Sequence, residues 1–171
     1  MEQLQSRSPL EDKFIVLCSE VLKDLNLEIY DLEYFSSNSV LRIYVQDPKT
    51  KSAVIEDCIK VDHALTEYIE DLDWMPAELT LEVSSPGMFR EIKSRKHFEA
   101  ALGENVDFIL FKHFDEIVGG EDLPKRLNRQ KKIRAVVTAV NDKGIIITEN
   151  DKNFEIEFKL IKTAKLSPPW N

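Results

Sequence analysis

The apolar residues Leu10, Phe14, Leu17, Cys18, Val21, Leu22 and Leu25 recur at spacings of three and four, which predicts an amphipathic helix running to about Asn26. Ser8-Pro9-Leu10-Glu11 opens it with an N-cap hydroxyl, a proline at the first helical position and a glutamate that completes a capping box. The period then falls to two. Tyr30, Leu32 and Tyr34 alternate with Asp31 and Glu33, Ser36-Ser37-Asn38-Ser39 makes a turn, and Leu41, Ile43 and Val45 alternate with Arg42 and Tyr44. An antiparallel hairpin is predicted, ended by Asp47-Pro48. Val54, Cys58, Val61, Leu65, Ile69 and Leu72 form a second helical stripe, and Leu79, Leu81 and Val83 mark a third strand. The order α-β-β-α-β describes an α+β domain in which two helices cover a three-stranded sheet. The opposite face, carrying Asp31, Glu33, Arg42, Thr80 and Glu82, is expected to stay wet.

Ser84-Ser85-Pro86-Gly87 must end the third strand, because proline lacks an amide donor and glycine accepts dihedrals that other residues avoid. The linker is placed there, dividing the chain into an N-terminal domain, residues 1–90, and a C-terminal domain, residues 91–171. A short helix follows, with Ser94 as its cap, Phe98 and Leu102 on its apolar side and Gly103 as its stop. Five short strands come next: around Val106, Phe108 and Leu110, over 131–140, over 144–148, around Phe154, Ile156 and Phe158, and over 163–166. The close turns Asn141-Asp142-Lys143-Gly144 and Asn150-Asp151-Lys152-Asn153 suit a small β-barrel with meander connections. Only the connection Lys112 to Gln130 is long, and such a loop is expected to be functional or mobile.

Composition makes the chain globular, with 43% hydrophobic and 32% charged residues. Met1 to Ser8 carry no apolar h-region, and no stretch reaches the roughly 18 apolar residues of a membrane span, so a soluble, cytoplasmic protein is expected. Cys18 and Cys58 lie within the two helical stripes, where reduced thiols behave as small hydrophobes. The net charge of −8 disfavours a protein that merely coats nucleic acid. Its distribution says more: residues 1–90 hold 18 acids and 8 bases, net −10, and residues 91–171 hold 13 acids and 15 bases, net +2.

No constellation calls for catalysis. His63, His97 and His113 have no second ligand at metal spacing and read as surface or half-buried side chains, so no metal and no cofactor are expected. Val83-Ser84-Ser85-Pro86-Gly87 lacks the glycines of a nucleophile elbow. The acids Asp31 and Glu33 sit on an exposed strand face with no sign of a pocket. The run Lys125-Arg126-Leu127-Asn128-Arg129-Gln130-Lys131-Lys132, with five bases in eight residues, attracts phosphate by Coulomb force and counterion release. A weaker cluster is Arg90, Lys93, Arg95, Lys96 and His97. The candidate binding residues are therefore Arg90, Lys93, Lys125, Arg126, Arg129, Lys131 and Lys132. Few aromatics stand near the basic run in sequence, which counts against a stand-alone reader of single-stranded RNA.

Leu81-Glu82-Val83-Ser84-Ser85-Pro86-Gly87-Met88-Phe89-Arg90 closely resembles the segment that ends the first domain of the RimP ribosome maturation factor family, with Glu82, Val83, Ser84, Ser85, Pro86, Gly87 and Arg90 as the motif. Tyr30-Asp31-Leu32-Glu33-Tyr34, Leu41-Arg42-Ile43-Tyr44-Val45 and Asp57-Cys58 support the resemblance upstream, as do Phe154-Glu155-Ile156-Glu157-Phe158 and Ile161-Lys162-Thr163-Ala164-Lys165-Leu166 downstream. One departure follows Gly87: the family usually has an acid, Arg, Pro and Leu where this chain has Phe89, Arg90, Glu91 and Ile92. The resemblance implies an α+β first domain, an Sm-like or SH3-like barrel as the second, and a non-catalytic role in maturing the small (30S) ribosomal subunit. It further implies binding to the free subunit, with the second domain contacting a ribosomal protein near the decoding region; by its charge the basic run is then expected to meet rRNA phosphates, and a monomer is expected.

Overall fold

The computed structural model describes residues 7–69, 72–119 and 123–167. It divides into two compact units, one spanning Arg7–Gly87 and the other beginning at Met88. The architecture is mixed α+β, with one sheet in each unit. Among the described residues, no helix is long and apolar enough to cross a membrane.

In the first unit, α1 (Pro9–Asp24) starts at the predicted capping box: Glu11 N–H donates to Ser8 Oγ at 3.3 Å, and Ser8 N–H donates to Glu11 Oε2 at 2.8 Å. The other oxygen of Glu11 accepts the Tyr34 N–H at 3.2 Å, so one carboxylate both caps the helix and ties it to the sheet. Strands β1 (Glu28–Phe35) and β2 (Val40–Gln46) form the antiparallel hairpin. After α2 (Ile55–Ile69), β3 (Thr80–Ser84) lies parallel to β2, giving the order β1-β2-β3. This is a βαβ crossover added to a hairpin. Phe14, Cys18, Val21 and Leu22 of α1 and Val61 and Leu65 of α2 are buried in one cluster with Leu32, Leu41, Ile43 and Val45. Cys18 and Cys58 are free, and burial pushes the Cys18 thiol up to about 12.

Two expectations need correction here. Asp31 is not wet: it is 3% exposed and faces Arg7 at 3.7 Å. A bulge between Ile29 and Asp31 breaks the strict alternation, so four consecutive residues, Ile29 to Leu32, are buried. Glu33 remains paired in register with Arg42, and Arg42 binds Glu82 at 2.7 Å. Val54, counted in the second helical stripe, precedes the helix and is exposed.

In the second unit, α3 (Arg95–Ala100) is capped by Ser94, whose Oγ accepts the His97 N–H at 3.2 Å. Leu102, expected on the buried side, lies beyond the helix and is exposed. His97 is buried, and its Nδ1 accepts the Lys93 N–H at 3.1 Å. Its role is therefore that of a helix-terminus acceptor. The five strands are β4 (Asn105–Leu110), β5 (Lys132–Val140), β6 (Gly144–Glu149), β7 (Lys152–Glu157) and β8 (Ile161–Leu166), in the order β7-β6-β5-β4-β8. A second helix of this unit, α4 (Phe114–Val118), lies between β4 and β5. Phe158, expected in a strand, belongs to a 3-10 turn, Phe158–Leu160, before β8.

The turns are built as their residues require. Asn141 Oδ1 accepts the N–H groups of Lys143 and Gly144, each at 2.8 Å. A Cβ on Gly144 would stand 2.2 Å from the Ile156 carbonyl oxygen, so only glycine fits between β6 and β7 there. Asn150 and Asp151, with φ of 49° and 59°, close the β6–β7 hairpin as a two-residue turn whose twist matches the strands.

The capping box generates a prediction. Burial raises the Glu11 pKa, but hydrogen bonds from the Ser8 backbone and side chain and from the Tyr34 backbone outweigh it and leave the carboxyl below its ordinary 4.5. A folded pKa below the unfolded one stabilises the fold above the unfolded pKa, and that stabilisation is lost as the pH falls through the folded value. Glu11→Ala should cost about 1 kcal/mol at neutral pH in denaturant titrations. The difference between variant and wild type should shrink as the pH falls below 4.5.

Candidate nucleic-acid interface

The connection between β4 and β5 is not the solvated loop its polar sequence predicts. Phe114 in α4 and Leu127 in the basic run are both 0% exposed and belong to the core of the second unit. Backbone and side-chain bonds close the excursion at its base: Phe114 N–H donates to the Gln130 carbonyl at 2.9 Å, and Arg129 N–H donates to Asp115 Oδ1, also at 2.9 Å. His113 Nδ1 bonds the Arg129 carbonyl at 2.8 Å. The Pro124 carbonyl accepts from Leu127 and Asn128, forming the turn that carries the bases. An isolated Leu in a charged run has no period around it, so its burial was invisible to pattern reading.

Anchoring Leu127 sorts the bases around it. Arg126 is turned inward along the surface, making two short hydrogen bonds to the Glu149 carboxylate and donating to the Arg134 carbonyl at 2.8 Å. The bond from Arg126, stronger than the opposing burial, holds Glu149 below the usual glutamate range. Arg126 is thus a structural clamp between the basic run and β6. Lys125, Arg129, Lys131 and Lys132 are exposed, and among the described residues no ion pair holds any of their side chains.

The weaker cluster is largely neutralised within its own unit. Lys93 lies 3.6 Å from Glu91, and Arg95 binds Asp142 at 2.6 Å and Glu99 at 3.0 Å. Arg90 is half-buried, with its carbonyl accepting the Leu166 N–H at 3.0 Å. Of the motif residues, Glu82, Val83 and Ser84 lie on β3 and Ser85, Pro86 and Gly87 follow it. Val83 packs on the core of the first unit, Glu82 binds Arg42, and Ser84 Oγ donates to the Ser85 carbonyl at 3.2 Å.

Sequence reading missed the surface onto which Lys132 opens. Strand register sets two rows across β5, β4 and β8: Lys132, Ile109 and Thr163 in one, and Arg134, Asp107 and Lys165 in the next. These residues line an open groove of about 610 Å³, together with Phe89. Arg134 grips Asp107 with two bonds, at 2.6 and 3.0 Å, and this pairing is the main reason the Asp107 carboxyl sits below its ordinary range. Lys165 lies 3.1 Å from Glu91. Lys132 is left as the cation without an ion-pair partner among the described residues. Phe89, about half exposed, is 43 positions away from Lys132 in the chain, a separation across which no sequence pattern operates.

Residues 17–89 match the family model described as the RimP N-terminal domain. The match covers most of the first unit and ends at the Val83-Ser84-Ser85-Pro86-Gly87 segment and Phe89.

The buried anchor leads to an expected outcome opposite to that of a free loop. Leu127→Ala should destabilise the second unit by about 2–5 kcal/mol, the range for truncating a fully buried leucine, as read by thermal or urea unfolding. In limited proteolysis, trypsin should cut at Lys125, Arg126 or Arg129 more slowly in the wild type than in Leu127→Ala.

Proposed function

We propose that the chain, whose residues 17–89 match the RimP N-terminal domain, is a ribosome maturation factor of the RimP family that acts by binding the free small (30S) ribosomal subunit during maturation, without catalysing a reaction. The observation that carries this reading is the division of charge. The first 90 residues hold a net −10 and the remainder a net +2. In the second unit Lys125, Arg129, Lys131 and Lys132 are exposed and free of ion pairs among the described residues. An acidic domain is attracted to basic ribosomal proteins and repelled by rRNA phosphate, whereas exposed lysines and arginines on a fixed surface meet phosphate favourably.

On this reading the protein is a cytoplasmic monomer. Its second unit is an Sm-like barrel that contacts a ribosomal protein near the decoding region and, through its basic run, adjacent rRNA. The strand order β7-β6-β5-β4-β8, a meander whose last strand returns beside its first, supports the barrel assignment. A second reading, a stand-alone Sm-like RNA-binding regulator, is favoured by one observation: Phe89 and Lys132 line the same groove. The two readings part on whether the partner is the assembled subunit.

Purified protein should co-sediment with isolated small subunits and not with complete ribosomes. Failure to bind free subunits, with RNA binding intact, would favour the regulator. Changing Lys125, Arg129, Lys131 and Lys132 together to Glu should weaken subunit binding and flatten its salt dependence, by a log–log slope of about 0.7 for each lost contact to single-stranded phosphate. Stability should change little, because these side chains are exposed and make no bonds that the fold requires. Arg126 is best left out of that variant, since it clamps Glu149.

A further inference from the structure

We infer that the groove across β5, β4 and β8 seats an unpaired base of single-stranded RNA, with Phe89 as the stacking ring and Lys132 as the phosphate contact. The inference rests on the reading that the second unit meets RNA, and it names where and in what form.

Three features of the groove converge on this ligand. At its centre Ile109 of β4 and Thr163 of β8 stand opposite each other in register and line the groove. The ring of Phe89, about half exposed, lines the same groove. A base stacked on such a ring gains affinity whatever its identity, because every base has a π-face.

The cations complete the set. Lys132, Arg134 and Lys165 line the groove, against a single acid, Asp107. Asp107 is already engaged by Arg134 through Nε and one terminal nitrogen, which holds the guanidinium in a fixed position across β4 and β5. A planar guanidinium so held is a second surface for a base and retains a further donor for an oxygen. Lys132 adds a positive charge with no ion-pair partner among the described residues, directly after Lys131 and within the basic run that includes Arg129 and Lys125. A strand of RNA could thus place one base in the groove and carry its neighbouring phosphates along the run. The volume, about 610 Å³, lies within the span of ligand clefts. A basic peptide, the other extended ligand an open sheet face could take, would meet Lys132 with Arg134 and Lys165 already paired to Asp107 and Glu91, a lining left net positive, and charge disfavours it.

The test uses the full chain and fluorescence anisotropy with a short labelled oligouridine, alongside a duplex RNA of the same length. Phe89→Ala should weaken oligouridine binding roughly tenfold or more, while leaving its salt slope unchanged, because a ring is lost and no phosphate contact. Phe89→Trp should retain binding, and duplex binding should not respond to Phe89→Ala, since its bases are stacked within the helix. Lys132→Gln should lower the salt slope by about 0.7. Circular dichroism and the melting temperature check that Phe89→Ala is folded, as its exposure leads one to expect. Wild-type affinity in Phe89→Ala, or no oligouridine binding by the wild type, would overturn the inference. So would a variant that keeps RNA affinity but loses a protein partner, for the groove would then be a protein dock. Co-sedimentation separates this from the assembly reading. Phe89-dependent RNA binding without subunit binding sinks that reading and leaves the groove. Subunit binding indifferent to Phe89 and oligouridine does the reverse.

Discussion

Strand β4 is hydrogen-bonded on both sides, to β5 and to β8, and its register decides which side chains the second unit offers to solvent. Val106, Phe108 and Leu110 point inward and are 0–1% exposed, so Asp107 and Ile109 must point outward. A slip of one residue would exchange the two sets and expose three large apolar side chains, each worth about 1.5–3 kcal/mol when buried. The register is therefore held by the core, and the positions of the outer rows follow from it. Lys132 and Arg134 reach the groove because β5 is fixed against β4, and Thr163 and Lys165 reach it because β8 is fixed on the other side.

The same core also governs the basic run. Phe114 and Leu127 enter the cluster that holds Phe108 and Leu110, which turns a connection of mostly polar residues into an anchored excursion. Rigidity matters for what the run can do. Charges on a loose loop must be ordered on binding, at a cost in conformational entropy, whereas charges on an anchored turn are already placed. The clamp from Arg126 to Glu149 serves that anchoring and sets one base of the run apart from the exposed Lys125, Arg129, Lys131 and Lys132. A net charge of only +2 over residues 91–171 is compatible with a locally positive surface, because the charge is unevenly placed: residues 125–132 hold five bases and no acid.

What the sequence disclosed was local, and what it concealed was mostly long-range. The capping box at Ser8 and Glu11, the serine cap of α3 and the paired turns at Asn141 and Asn150 were legible because each depends on residues within a few positions of one another. The helical and strand periods were legible for the same reason. Pairing between distant strands leaves no mark of that kind, so the return of β8 beside β4 could not be read. The bulge in β1 was hidden as well, since one inserted residue looks like normal alternation until its partner strand is known. Strict alternation therefore sends Asp31 to water, and a lone apolar residue such as Leu127, having no period, reads as loop. The basic run was visible, but its division into a clamp and free cations required the positions of Glu149 and the β5 backbone.

The central claim is that the second unit, through the basic run and the outer face of β5, β4 and β8, meets RNA of the free small subunit. Ultraviolet cross-linking of the full chain to isolated small subunits, with the cross-linked peptides identified by mass spectrometry, tests it directly. The account predicts RNA-bearing peptides from 125–134 and from β8. Cross-links confined to α1, α2 and the acidic sheet face, with 125–134 unmodified, would contradict it.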